Sequence, residues 1–113
     1  SMNSNFKARG KRGEIWLYDE IGASFWSEGG ITAKTFQKEL GGLGAVDSIN
    51  LFINSPGGDV FDGLSIYNQL KAHKAEKVTF IDGIAASIAS VIAMQYLNLE
   101  QYLDQERLRQ FGA

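Results

Sequence analysis

Apolar and polar positions recur along this chain with short, changing periods, and each period predicts an element. Glu14-Ile15-Trp16-Leu17-Tyr18 is rich in aromatic and β-branched residues and runs into Asp19-Glu20-Ile21-Gly22, which predicts a strand closed by a turn. Residues 22–30, with glycine and serine around Phe25 and Trp26, predict a loop carrying an apolar plug. Ala33, Phe36, Leu40 and Leu43 follow at spacings of three and four, a helical stripe with Thr32 as its N-cap and Gly41-Gly42 to stop it. Residues 48–53 predict a strand more apolar than strict alternation, the pattern of a strand covered on both faces.

After the turn Ser55-Pro56-Gly57-Gly58, Asp59 is placed to cap a helix whose Val60, Phe61, Leu64, Tyr67 and Leu70 predict a broad buried face. That helix fades at Lys71-Ala72-His73-Lys74, where basic residues suit the negative end of its dipole. Lys77-Val78-Thr79-Phe80-Ile81 predicts the next strand, so residues 48–81 read as a βαβ unit with a right-handed crossover. Gly83-Ile84-Ala85-Ala86-Ser87 then hands this strand over to a second helix. Ile88, Ala89, Val91, Ile92, Ala93 and Met94 give that helix a buried character, and Tyr96, Leu99 and Leu103 continue its stripe. Residues 100–110 are polar and helix-forming, which predicts one long or kinked helix, partly projecting.

Composition narrows this picture. At 113 residues, 44% hydrophobic and 21% charged, the chain supports one core and one domain. The expected division is a flexible basic arm over 1–12, with Ser1-Met2 as an expression scar, an α/β domain over 13–94, and a helical tail over 95–113. Lysine plus arginine at 11 against aspartate plus glutamate at 13 is too balanced for bulk attraction to nucleic acid or to an acidic membrane. The basic run Lys7-Ala8-Arg9-Gly10-Lys11-Arg12 reads as a solvated lead-in to the first strand. No cysteine and a single histidine argue against disulfides and a zinc site; no metal or other cofactor is expected, and a cytoplasmic location fits. No apolar run approaches the ~20 residues that span a bilayer.

The candidate chemistry lies in the two turns. Ligands of parallel sheets collect beyond the carboxyl ends of the strands, which is where both turns fall. Gly57 and Gly58 can bring bare backbone N–H groups close to a developing oxyanion, and Ile88 can supply a second N–H. Ser87 sits at a helix N-terminus, where dipole and free amides favour negative charge, with small Ala85 and Ala86 beside it.

Ile53-Asn54-Ser55-Pro56-Gly57-Gly58, then Gly63 and Ile66-Tyr67, then Asp82-Gly83-Ile84-Ala85-Ala86-Ser87-Ile88-Ala89-Ser90 closely resemble the Clp-type serine peptidases, the family of the proteolytic subunit of Clp protease. The wording of residues 58–64 and 71–75 looks most like its phage and prophage branch, associated with head maturation. The resemblance covers about residues 13–94. It implies an α/β fold, a Clp-peptidase- and crotonase-like spiral of strand-strand-helix units, here incomplete, with only the N-terminal part present and a long C-terminal helix. It also implies that Ser87 is the catalytic nucleophile and that Gly58 and Ile88 are the oxyanion-hole amides. The implied partners are a peptide or protein substrate, further copies of the chain in a ring, and a full-length relative or an AAA+ unfoldase.

Residues 95–113 depart from the family, which brings its catalytic histidine and then an aspartate after the nucleophile's helix; no histidine follows Ser87 here. His73 lies at the far end of a helix that rises about 1.5 Å per residue, roughly 20 Å from the turns. Lys77 starts its strand at the end away from the turns, and Asp59, Asp62 and Asp82 read as caps and turn residues. The chain is thus expected to be a serine endopeptidase by lineage, truncated and inactive or weak alone. Two alternatives are a non-catalytic self-association or assembly protein, using apolar positions such as Tyr96, Leu99, Leu103, Leu108 and Phe111, and a crotonase-like acyl-CoA binder.

Overall fold

Residues 5–22, 30–98, 100 and 103–104 are described by the structure, a computed structural model. Two strands, β1 (Asn5–Arg9) and β2 (Arg12–Leu17), pair antiparallel around a two-residue connection in which Gly10 takes φ 60°. Glycine at the first position of such a loop matches the twist of a hairpin. Alternation in β2 buries Gly13, Ile15 and Leu17 and leaves Glu14 and Trp16 on the other face. The basic run is therefore no free arm over residues 5–9: it folds back as an edge strand, mostly exposed, with Phe6 in edge contact with Phe36 at 5.2 Å and Arg9 paired to Glu14.

From β2 the chain enters α1 (Ala33–Gly42), where the Thr32 hydroxyl accepts the Thr35 N–H at 3.1 Å and Phe36 and Leu40 are buried. β3 (Ser48–Ser55) runs parallel to β2, and α2 (Val60–Ala72) follows, capped by Asp59, whose carboxylate accepts the Asp62 N–H at 2.8 Å. β4 (Glu76–Ala85) lies parallel to β3, and α3 (Ile88–Tyr96) closes the described architecture. The strand order is β1-β2-β3-β4. The crossovers between these sequential parallel strands place α1 and α2 in contact with each other, as crossovers of the usual single hand do by putting both helices on one face of the sheet. The core lies there, with Ile15, Leu17, Ile49, Leu51 and Ile53 of the strands against Phe36, Ile66, Leu70 and Ile92 of the helices. Each fully buried Leu or Ile contributes about 1.5–3 kcal/mol relative to exposure.

Three expectations are corrected. The apolar excess in β3 does not come from cover on both faces. The second face carries a half-buried ladder in which Trp16, Phe52 and Phe80 share one register and stack at 5.3 and 5.2 Å. The buried stripe of α2 is Gly63, Ile66 and Leu70, whereas Val60, Phe61 and Leu64 are exposed, Phe61 by 83%. Gly63 decides this, because a Cβ there would lie 2.3 Å from the Ile88 side chain: α2 and α3 meet at a glycine, which hydrophobic periodicity does not register. Finally, α3 spans nine residues and ends where Leu97 takes extended geometry and bridges to Thr79 on the outer edge of β4; residues 100, 103 and 104 are helical again, so of the long or kinked helix expected from Ser87 onward the unbroken form is excluded. The expectations for Phe25, Trp26, Leu99, Leu108 and Phe111 fall outside the described residues. Among the described residues no helix is long and apolar enough to cross a membrane.

Candidate active site

The two turns leave the carboxyl ends of adjacent parallel strands, β3 into α2 and β4 into α3. Between them the register slips: Ile53 pairs with Ile81 and Ser55 with Ala85, so Asp82, Gly83 and Ile84 face Asn54 alone. The Asn54 side chain compensates by accepting the Ile84 N–H at 3.2 Å. β4 therefore continues past Ile81, and the turn into α3 starts at Ala86 rather than at Gly83.

Ser87 follows with φ 54° and ψ −132°, the one non-glycine residue at positive φ among the described residues. Such backbone costs about 1–3 kcal/mol and persists only where the surroundings over-determine it. Here the Ala86 N–H is held by the Ser55 carbonyl at 3.1 Å, the Ala86 carbonyl by the Ala89 N–H at 3.0 Å, and the Ser87 carbonyl by the Ser90 N–H at 3.0 Å. The Ser87 hydroxyl makes no capping bond, and the residue is exposed. A strained strand-to-helix turn that presents an unengaged serine hydroxyl is the geometry by which several hydrolase folds display a nucleophile.

The glycine turn is fixed from both sides. Ile21 donates its N–H to the Gly57 carbonyl at 2.8 Å and accepts the Asp59 N–H at 2.8 Å; it is itself bridged to Ile31, where Gly22 donates to the Ile31 carbonyl at 2.7 Å. The Gly57 N–H is taken by the Ser55 hydroxyl at 3.2 Å. The Gly58 N–H is left without a backbone acceptor among the described residues, and the Ile88 N–H, in the first turn of α3, has no intrahelical one. Gly58 has φ 145°, and a Cβ there would lie 2.0 Å from the Ile21 carbonyl oxygen, so only glycine fits.

The acids near the turns have structural partners. Asp59 caps α2, and Asp62 accepts the Ala33 N–H at 2.8 Å, tying the start of α1 to the first turn of α2. Asp82 accepts from the Tyr18 hydroxyl; burial, then that hydrogen bond and the carboxylate charge, push the Tyr18 phenol up to about 12. Sequence reasoning gave no role of their own to Tyr18, which lies in the first strand segment, or to Asn54 and Ser55, which lie in the glycine-turn motif. Ser55 left a local signal, since a serine hydroxyl commonly takes the N–H two residues on.

His73 is the C-cap of α2, at the opposite end of that thirteen-residue helix from the turns. Its Nδ1 accepts the Ala75 N–H at 3.1 Å, and burial, then the charge of Lys77, lowers its pKa. The Lys77 ammonium donates to the His73 and Ala75 carbonyls at 2.7 and 2.8 Å and sits 4.8 Å from the Tyr96 ring centroid, while burial lowers its pKa. These bonds close the end of α2. Neither basic side chain is brought to Ser87.

A family profile described as Clp protease matches residues 31–97. The ATP-dependent Clp protease proteolytic subunit of Bacteroides fragilis is 44% identical over 64 residues, covering 54% of this chain and 31% of that protein. The subunit of the same name from Ligilactobacillus salivarius is 48% identical over 54 residues, covering 45% of this chain and 27% of that protein. Among solved structures, a ClpP1 point mutant from Listeria monocytogenes aligns at 27% identity with a TM-score of 0.61, over 74% of this chain and 46% of that one. The ClpP protease catalytic domain from Plasmodium falciparum aligns at 32% identity with a TM-score of 0.56, over 74% and 45%. The chain thus spans less than a third of the length of these two relatives and under half of either structure.

Proposed function

The chain belongs to the Clp protease family, and from that premise we propose that it is a serine endopeptidase by lineage in which Ser87 is the nucleophile. The observation that carries this reading is the strained Ser87, its hydroxyl without a capping bond, packed against Gly57 at the edge of the sheet. In the reaction, Ser87 Oγ attacks a peptide carbonyl and the oxyanion forms between the Gly58 and Ile88 N–H groups. The C–N bond then breaks, the serine proton passes through a base to the leaving amine, and water releases the acyl group. The substrate is a peptide or protein segment. Homo-oligomerisation, work beside a full-length relative or an AAA+ unfoldase, a cytoplasmic setting and descent from the prophage branch belong to the same proposal.

What the described residues do not bring to Ser87 is a base for proton transfer. The chain's one histidine caps the far end of α2, and Lys77 is bonded there too. An oxyanion hole without the triad keeps only a small part of the rate enhancement. The chain as it stands is therefore expected to be inactive or weak. A fluorophosphonate probe tests both parts: slow labelling at neutral pH, faster as pH rises, confined to Ser87 and lost in Ser87→Ala. Fast stoichiometric labelling at neutral pH would show a working base, and labelling spread over other serines would remove Ser87 as nucleophile.

A second reading, a non-catalytic assembly protein, is favoured by the outer faces of α2 and α3, where Phe61 is 83% and Met94 67% exposed beside Val60, Leu64 and Val91. Light scattering that rises in mass with concentration for the wild type, but not for Phe61→Glu, would support it. A monodisperse monomer at high concentration would end it.

A further inference from the structure

Ser55 is fully buried, yet it is a polar residue at the end of a core strand, and both of its oxygens are engaged. Its carbonyl accepts the Ala86 N–H at 3.1 Å, in the turn that carries Ser87; its hydroxyl accepts the Gly57 N–H at 3.2 Å, in the turn that carries Gly58. One residue thus holds both turns. We infer that Ser55 is a positioning residue that fixes the separation of the two turns and, by occupying the Gly57 amide, leaves Gly58 as the donor its loop offers to an oxyanion.

Removing the hydroxyl has asymmetric consequences. The bond to Ala86 is made by the backbone and survives any substitution that folds, so the Ser87 turn stays anchored. The Gly57 N–H, in a buried residue, loses its acceptor. A buried unpaired amide is costly, and rotation of the Gly57–Gly58 peptides towards another acceptor redirects the Gly58 N–H. The pairing of Ile21 with Gly57 and Asp59 limits that rotation without replacing the lost bond. Ser55→Ala should therefore disturb the glycine side of the site and spare the helix side.

This rests on Ser87 being the nucleophile, and the test separates the two ideas. Amide exchange on the 113-residue chain, followed by nitrogen-15 NMR, needs no chemistry at Ser87. Gly57 should exchange roughly tenfold faster in Ser55→Ala than in wild type, the loss of one hydrogen bond, while Ala86 stays protected. Ser55→Thr keeps the acceptor and should restore Gly57 protection. A fluorophosphonate adduct on Ser87, driven at raised pH, then reads the positioning role. In wild type both the Gly58 and Ile88 amides should shift downfield against the phosphoryl oxygen, whereas in Ser55→Ala only the Ile88 shift should remain full. Unchanged Gly57 exchange in Ser55→Ala overturns the anchor, and equal Gly58 shifts in the two proteins overturn the positioning role. If Ser55→Ala does not fold, wild type against Ser55→Thr decides, with loss of Gly57 protection in the threonine variant counting against the anchor. If wild type takes no adduct, the nucleophile assignment and the positioning role built on it fall together, and exchange still decides the anchor.

Discussion

A Cβ placed on Gly57 would lie 2.7 Å from the Ser87 Cβ and 3.3 Å from its Oγ, so the two turns touch through a bare α-carbon. Gly57 also has φ 97°, which side-chain-bearing residues rarely adopt. Gly57→Ala combines this strain with a clash against backbone, since the same Cβ would meet the Ala86 carbonyl oxygen at 2.7 Å. We expect a loss of at least about 1–3 kcal/mol in urea denaturation, with slower Ser87 labelling in the folded fraction. Stability and labelling both at wild-type level would show that the turns are further apart than the structure places them.

The strain at Ser87 makes an opposite prediction. Ser87→Gly relieves a positive φ that costs about 1–3 kcal/mol, against about 0.5–1 kcal/mol of extra chain entropy, for a net gain of about 1 kcal/mol. Ser87→Ala removes the hydroxyl and keeps the strain. The glycine variant should therefore unfold at higher urea than the alanine variant, with neither labelled. Equal midpoints would mean that the turn stores no strain.

Features set within a few residues were legible in the sequence. The caps Thr32 and Asp59 are local, and the βαβ order follows from periods of two and 3.6 with glycine turns between them. The proximity of the Gly57 and Ser87 turns followed from parallel topology. What stayed hidden depends on a partner distant in sequence. The excursion at Asp82-Gly83-Ile84 exists because Asn54, on the next strand, takes the Ile84 N–H. The buried face of α2 is set by Ile88 pressing on Gly63, and the end of α3 coincides with Leu97 reaching Thr79. β1 was hidden for another reason: Asn-Phe-Lys-Ala-Arg has little apolar alternation, and its pairing with β2 turns on the conformation of Gly10.

Tyr18 offers a spectroscopic check on the loop beside the site. Its phenol, ordinarily near 10, is raised to about 12 by burial and by Asp82. A raised folded-state value means the protonated form is favoured by folding. The stabilisation is therefore complete below pH 10 and is lost as pH rises through the interval up to about 12. Phenolate absorbance should show tyrosine titrating near the top of that range, and Asp82→Asn should bring the Tyr18 midpoint down. A Tyr18 midpoint at 10 in the wild type would mean that the Tyr18–Asp82 contact does not form in solution.

His73 supplies the test that separates a structural imidazole from a catalytic one. Burial and the Lys77 charge lower its pKa from 6.5, and its Nδ1 can accept the Ala75 N–H only when unprotonated. Folding thus favours the neutral ring. The stabilisation is present above pH 6.5 and is lost as pH falls through the depressed folded-state value, so acid should weaken the end of α2. NMR titration of the single imidazole should give a midpoint below 6.5, and His73→Ala should flatten the pH dependence of stability in that range. Because α2 carries His73 away from Ser87, the same variant should label with fluorophosphonate at the wild-type rate across the pH range. A labelling rate in wild type that follows the His73 titration and vanishes in His73→Ala would make this histidine the missing base and require the far end of α2 to reach the site.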